Sequence, residues 1–166
     1  VRGRNGAFNA TSAFQLQVAL IPGACAGADP PLVPGNASAT ALAGEYRTLI
    51  ITDSSRMTAA APGDVAALVT RLQTFAARPE IAGQVIDFAG DAGIGALNAQ
   101  ADRATDCPFA KNLVAGAIKA LIDDYWDLNP DLQYIVIAGD DSVVPFYRHP
   151  DQSLIGNERN FIPPVH

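Results

Sequence analysis

Three short runs of β-branched and apolar residues alternate with stretches of helical periodicity, and this order constrains the fold more than any other feature of the chain. The runs are Arg47-Thr-Leu-Ile-Ile-Thr-Asp53, Gln84-Val-Ile-Asp-Phe-Ala89 and Tyr134-Ile-Val-Ile-Ala-Gly139. Continuous apolar runs of this kind are typical of strands buried on both faces of a parallel sheet. Parallel strands joined through helices require right-handed crossovers. The sequence therefore predicts an α/β fold, in which a βαβαβ unit forms a parallel sheet between layers of flanking helices.

Two amphipathic helices are expected between the strands. The first begins near Pro62 and Asp64, residue types that favour a helix start, and ends at Arg78-Pro79. Its apolar stripe consists of Val65, Leu68, Val69, Leu72, Phe75 and Ala76. The second ends at Asn129-Pro130, and its stripe consists of Leu113, Val114, Ala117, Ile118, Leu121, Ile122 and Tyr125. We predict that the second strand is followed by a loop of about twenty residues, which is long for a compact domain. This loop would hold Gly93-Ile-Gly95 and Cys107.

The composition divides the chain into three parts. Residues 1–21 include Phe14-Gln-Leu-Gln-Val-Ala-Leu, whose alternation predicts a strand at the end of a β module. Residues 22–44 are rich in Pro, Gly, Ala and Ser, as linkers and surface loops are. Residues 45–166 hold the predicted α/β domain. Because three parallel strands are few for an independent sheet, we expect this domain to be incomplete.

Charge and hydropathy exclude several classes of partner. Of the 166 residues 49% are hydrophobic and 17% are charged, so the chain can bury a core. The net charge is −6 and the basic residues do not form runs, which argues against binding to nucleic acid. No apolar run is long enough to span a membrane. The low charge density, with only Lys111 and Lys119 as lysines, favours an extracellular or cell-surface protein.

Two cysteines, Cys25 and Cys107, lie in loop-like sequence. They could form one disulfide across a long segment, remain free or pair with cysteines elsewhere. Cys107 precedes Pro108 at an expected helix start, where the pKa of a thiol can be lowered, but a structural role is favoured. His149 lies in a loop beside a proline and is interpreted as a bystander, not a general base.

Acidic residues follow two of the strands. Asp53 ends the first strand, and Asp140, Asp141 and Ser142 follow the third. In a flavodoxin-like strand order, two-one-three, these residues share the carboxyl-end rim of the sheet, where α/β proteins bind ligands. Clustered carboxylates repel one another unless a cation or hydrogen bonds offset them, so a Ca²⁺ or Mg²⁺ site is one hypothesis. Capping of the following turns by the same side chains is the favoured alternative.

The segment Tyr134-Ile-Val-Ile-Ala-Gly-Asp-Asp-Ser-Val-Val-Pro145 resembles a segment of gingipain-type cysteine peptidases, in which a hydrophobic strand ends in Gly-Asp and a proline follows. The strand at residues 47–53 and the helix that ends in Asn-Pro are similar to the layout of the same family. This resemblance covers residues 45–166 and implies a caspase-like fold. Residues 1–21 resemble the closing strands of a small β-sandwich found in secreted proteins.

The family's catalytic dyad is a histidine in a Gly-His-Gly setting and a cysteine at the end of the following strand, and neither motif occurs here. The resemblance therefore implies the amino-terminal half of a secreted peptidase domain, inactive alone, that contributes one wall of a cleft for a peptide or protein substrate. Its missing carboxyl-terminal half would be the intramolecular partner. Two alternatives stay open. One is a noncatalytic α/β interaction module of a surface protein, and the other is a metal-dependent phosphoryl-transfer or receiver-like domain that uses the rim acids.

Overall fold

The sheet of this protein has three parallel strands. The structure is a computed structural model, and it describes Cys25 and residues 30–148. The strands are β1 (Thr48–Thr52), β2 (Gly83–Asp87) and β3 (Tyr134–Ile137), in the order β2-β1-β3. Thr48 is aligned with Gly83 on one side and with Tyr134 on the other. The predicted α/β fold is confirmed, and the observed strand order is the two-one-three order in which Asp53 and Asp140 were expected to share a rim.

Three helices flank the sheet: α1 (Asp64–Ala76), α2 (Ala92–Arg103) and α3 (Pro108–Leu128). A short 3₁₀ turn, Ser54–Arg56, follows β1. Leu49 and Ile51 of β1 join the main core with α2 and α3, which pack against each other. Since side chains alternate along a strand, Ile50 points to the opposite face, where α1 packs against β1 and β2.

The core lies mainly between the sheet and α3. The predicted apolar stripe of α3 is confirmed, because Val114, Ala117, Ile118, Leu121 and Tyr125 are all buried. Pro108 stands in the first turn of α3, where its missing N–H costs no helical hydrogen bond. The 21 residues of α3 span about 30 Å at about 1.5 Å per residue, enough to cross the whole sheet.

The predicted loop after β2 is wrong, because most of it forms α2. The carboxylate of Asp91 accepts a hydrogen bond from the Ile94 amide and so caps the helix start. Ile94, Leu97 and Ala101 follow at helical spacing and are buried. Glycine weakens helices, so Gly93 and Gly95 obscured this pattern. Gly93 is nevertheless required for packing, since a Cβ there would lie 2.0 Å from the carbonyl oxygen of Asn36.

The predicted burial of β3 and of the α1 stripe is also wrong. All four residues of β3 are exposed, and Ala76 is the only buried residue of α1. Leu68 and Phe75 of the predicted stripe are 40% and 38% exposed. The reason is geometric: among the described residues, α1 covers only β1 and β2 on its face of the sheet, and no strand lies outside β3. The apolar side chains of β3 and α1 therefore stay exposed because no other described element covers them.

Residues 30–46, here called the strap, run along α2 and α3. Leu32, Ala37 and Ala41 of the strap pack against the main core. A disulfide joins Cys25, which precedes the strap, to Cys107 at the start of α3. The described part of the predicted linker is thus fixed to the helices.

Side chains of the helices bind the backbone of the strap at three points. Gln100 pairs with both the N–H and the carbonyl of Val33. Asp91 accepts hydrogen bonds from the amides of Ser38 and Ala39, at 2.9 and 2.7 Å. Asn129, just after α3, binds the strap near Gly44. Residues 1–21, His149 and His166 lie outside the described residues, so the predictions made for them stay predictions.

Candidate site at the carboxyl-end rim of the sheet

Asp53 directly follows β1 and is buried at the rim. Its side chain is 3% exposed in the folded chain. One carboxylate oxygen accepts hydrogen bonds from the amide and the hydroxyl of Ser55, which caps the 3₁₀ turn. The other oxygen accepts a hydrogen bond of 3.3 Å from the side chain of buried Asn98 on α2. The favoured interpretation of Asp53 as a capping group therefore agrees with its contacts.

Asp87 ends β2 beside Asp53 and is a rim acid that the sequence reasoning missed. Its two oxygens accept hydrogen bonds from the amide and the hydroxyl of Ser54, at 2.8 and 2.6 Å. A third hydrogen bond comes from the amide of Ala89. Asp87 therefore ties the chain after β1 to the end of β2. The sequence feature that could have identified Asp87 is its position near the end of a predicted strand.

Arg56 joins three elements of the rim and was also missed. Its guanidinium makes two hydrogen bonds of 2.9 Å to the carboxylate of Asp102 on α2. Its Nε donates at 2.7 Å to the carbonyl of Ser142, in the loop after β3. The hydrogen bond and charge of Arg56 hold the pKa of Asp102 below its usual value, and the same contact raises the pKa of Arg56. No local pattern indicates this pair, because its members are far apart in the chain.

Asp140 and Asp141 organise the loop after β3. Asp140 accepts hydrogen bonds from both the amide and the hydroxyl of Ser142, and these lower the pKa of its carboxyl. Asp141 forms an ion pair with Arg148 and accepts a hydrogen bond from the Phe146 amide. Gly139 precedes them at φ +135°, a conformation that L side chains rarely adopt.

A cleft of about 430 Å³ opens at this rim between the end of β1 and α2. It is lined by Asp53, Ser55, Arg56, Phe88, Gly90, Asp91, Asn98 and Asp102. Asp53 and Asn98 are buried in its wall, and the Arg56–Asp102 pair is partly open to solvent. The cleft thus presents carboxylate oxygens and one guanidinium on a fixed backbone, which suits binding of a polar group.

A pair of a free thiol and a histidine is absent from the part of the chain that the structure describes. Both described cysteines are in the disulfide, and no histidine falls within residues 30–148. Asp140, Asp141 and Ser142 belong to the loop after β3 and do not line this cleft with Asp53. Nowhere in the described part of the chain do three His, Cys, Asp or Glu side chains gather as a set of metal ligands.

Comparison with known proteins finds no matching family model, no matching curated protein and no matching solved structure. Within the described residues, no helix is both long enough and apolar enough to cross a membrane.

Proposed function

We propose that this chain is the amino-terminal half of a gingipain-like cysteine peptidase domain with a caspase-like fold. In this proposal it supplies the scaffold and one wall of the cleft that receives a peptide or protein substrate. A histidine and a cysteine encoded beyond residue 166 supply the chemistry, in which the histidine assists attack by a thiolate on the peptide carbonyl. The chain alone is then inactive.

The observation that carries the proposal is the open edge of β3. Tyr134, Ile135, Val136 and Ile137 are 58%, 38%, 39% and 43% exposed. Natural edge strands are usually protected by charges, prolines or a covering element, and this strand has neither charge nor proline. An apolar strand with both faces and one edge uncovered fits a sheet that continues into further strands. The resemblance of residues 134–145 to the gingipain-type segment implies such a continuation.

Two further features agree with the proposal. The carboxyl-end rim carries a polar cleft in which the acids are already held by hydrogen-bond donors, as a substrate-binding wall would be. The Cys25–Cys107 disulfide is the kind of bond that persists in oxidising compartments, which fits an extracellular or cell-surface location.

Amide exchange can test whether β3 continues into further strands. The amides of Tyr134 and Ala138 donate to the carbonyls of Arg47 and Ile51, so by alternation the amides of Ile135 and Ile137 point away from β1. In the chain 1–166 these two amides should exchange rapidly, while that of Val136 is protected. In a longer chain that includes the downstream residues, both should become protected.

The chemical test follows from the encoded sequence after residue 166. The proposal requires a Gly-His-Gly motif and then a strand that ends in cysteine. Changing that cysteine to alanine should abolish peptide hydrolysis by the longer chain while leaving the protection of Ile135 and Ile137 intact. A downstream sequence without these motifs would refute the peptidase, and protection without hydrolysis would favour the noncatalytic interaction module.

A further inference from the structure

Helix α2 contacts the cleft at the carboxyl-end rim, here called the rim cleft, with one set of side chains and the strap with another. Towards the cleft, Asn98 and Asp102 bind the chain that directly follows β1. Towards the strap, Gln100 binds the backbone of Val33. Asp91 does both, because it lines the cleft and accepts hydrogen bonds from two strap amides. The position of the strap therefore bears directly on the cleft wall that α2 forms.

The strap and the first turn of α2 are packed backbone against backbone. The amide of Gly93 donates to the hydroxyl of Ser38 at 2.9 Å. A Cβ at Gly93 would lie 2.0 Å from the carbonyl oxygen of Asn36. One oxygen of Asp91 accepts hydrogen bonds both from Ser38 and from Ile94, which it caps. Since the same turn meets the strap and the cleft, release of the strap removes a support of the cleft wall.

The Cys25–Cys107 disulfide restrains the end of the strap that lies nearest to it. The hydrogen bonds on that side, made by Gln100 and Asp91, are exposed, whereas the bond from Gly44 to Asn129 at the other end is partly buried. Exposed hydrogen bonds contribute little net free energy because water competes for both partners. The near end of the strap therefore depends on the disulfide more than the far end does.

We propose that the Cys25–Cys107 disulfide is a reducible lock on the rim cleft. When an external dithiol reduces it, the near end of the strap leaves the first turn of α2 and the cleft wall becomes mobile, while the sheet stays folded. The lock acts on the cleft whether or not a catalytic half follows, so it does not rest on the proposed peptidase activity.

The opening of the lock is an exchange between two disulfides. Cys107 is 5% exposed and Cys25 is half-buried, so the sulfur of Cys25 is the one that an external thiolate attacks. A bond forms between the attacking sulfur and Cys25, and Cys107 leaves as a thiolate at the start of α3, where the helix dipole stabilises negative charge. The second thiol of the dithiol then releases Cys25. Two electrons thus pass from the dithiol to the protein, and the dithiol becomes a disulfide.

Amide order parameters from nuclear magnetic resonance test the lock in the full chain, before and after reduction with dithiothreitol. Those of Ser38, Ala39 and the Nε of Arg56 should fall from about 0.85 to below about 0.6, while those of Gly44 and Val136 should stay at about 0.85. Unchanged values at Ser38 or at Arg56 would overturn the proposal. A fall at Val136 as well would also overturn it, because the disulfide would then support the whole fold and not the strap.

Gly93→Ala tests the coupling with the disulfide intact. Its added Cβ displaces the carbonyl of Asn36, so the order parameters of Ser38 and of the Arg56 Nε should fall in the oxidised chain. Gly116→Ala on α3 is the matched control, because a Cβ there meets nothing within 4 Å. Both changes raise helix propensity equally. Equal order parameters in the two folded variants would overturn the coupling.

Glutathione, a monothiol, identifies the sulfur that is attacked, because its reaction stops at the mixed disulfide. Peptide mass spectrometry should find the glutathione adduct on Cys25 and, after treatment with iodoacetamide, the alkylated thiol on Cys107. An adduct on Cys107, or a bond that dithiothreitol reduces only in denaturant, would overturn the proposal.

Discussion

Three polar side chains bind the backbone of the strap, and replacing Asn129 with alanine should destabilise the fold more than replacing either of the other two, Asp91 or Gln100. Asn129 is 1% exposed and makes three hydrogen bonds through its side chain. Its Oδ1 accepts from the Gly44 amide at 2.7 Å, and its Nδ2 donates to the carbonyls of Leu42 and Tyr125 at 2.9 and 2.8 Å. One amide group thus closes the end of α3 and fixes the strap to it.

The magnitude follows from the number of bonds lost. Each contributes about 0.5–1.5 kcal/mol net, so three contribute about 3 kcal/mol to the free energy of unfolding. For a chain of this size, a loss of about 3 kcal/mol lowers the Tm by roughly 6–12 °C. The estimate is a minimum where water cannot replace the lost partner of a buried backbone group.

Urea unfolding followed by circular dichroism measures this loss, provided that the slope of free energy against urea is unchanged. Asn98→Ala is the matched control, because Asn98 is also a buried asparagine but makes one hydrogen bond, of 3.3 Å, to Asp53. Its replacement should cost about 1 kcal/mol. Equal losses in the two variants would refute the reasoning, since the number of hydrogen bonds would then not decide stability at these sites.

Three other perturbations have defined outcomes. Cys25→Ser removes a disulfide between residues 82 apart, which should lower the free energy of unfolding by up to about 4–5 kcal/mol. Urea unfolding of the unmodified and variant chains measures this loss, and a loss below about 1 kcal/mol would contradict the prediction. Partial burial raises the pKa of Asp91, but backbone amides, led by that of Ser38, outweigh it, so the net pKa lies below the usual 3.8. The stabilising contribution of the Asp91 carboxylate is present above pH 3.8 and is lost as the pH falls through the lower folded-state pKa. Plots of Tm against pH for the unmodified protein and for Asp91→Asn should therefore converge in acid. Plots that stay parallel would contradict this. An open apolar edge strand favours self-association, so the chain 1–166 should associate through β3, and Val136→Lys should weaken this association while changing the free energy of unfolding by no more than about 0.5 kcal/mol. Sedimentation velocity measures the association, and an unchanged association in Val136→Lys would contradict this.

The parts of the fold that could be predicted from the sequence are those determined by residues close together in the chain. The strand runs and the stripe of α3 repeat within a few residues, so these elements were predicted. Asp91 is a local signal for the start of α2, but the helix was not predicted because Gly93 and Gly95 are residues that weaken helices. The exposure of β3 could not be predicted, because residue type indicates what a strand could bury and not whether a neighbour is present.

The same distinction applies to the candidate site. Asp53 and Asp140 were predicted at the rim because each directly follows a strand, and their capping contacts involve residues two positions away. The Arg56–Asp102 pair joins residues 46 apart, so no pattern in the sequence marks it. Asn129 was read as part of a helix stop and not as an anchor, because its partners Leu42 and Gly44 lie more than 80 residues earlier.

The strap has a consequence for the order of events during synthesis. Its backbone leaves the ribosome before every side chain that holds it, with Asp91 emerging 53 residues after Ser38 and Asn129 emerging 87 residues after Leu42. At about 5–20 residues per second, the strap waits several seconds to roughly twenty seconds for its partners. The strap is translated before β1 but can be held in place only after α2 and α3 have been made, and the Cys25–Cys107 bond can form only after α2 has been translated.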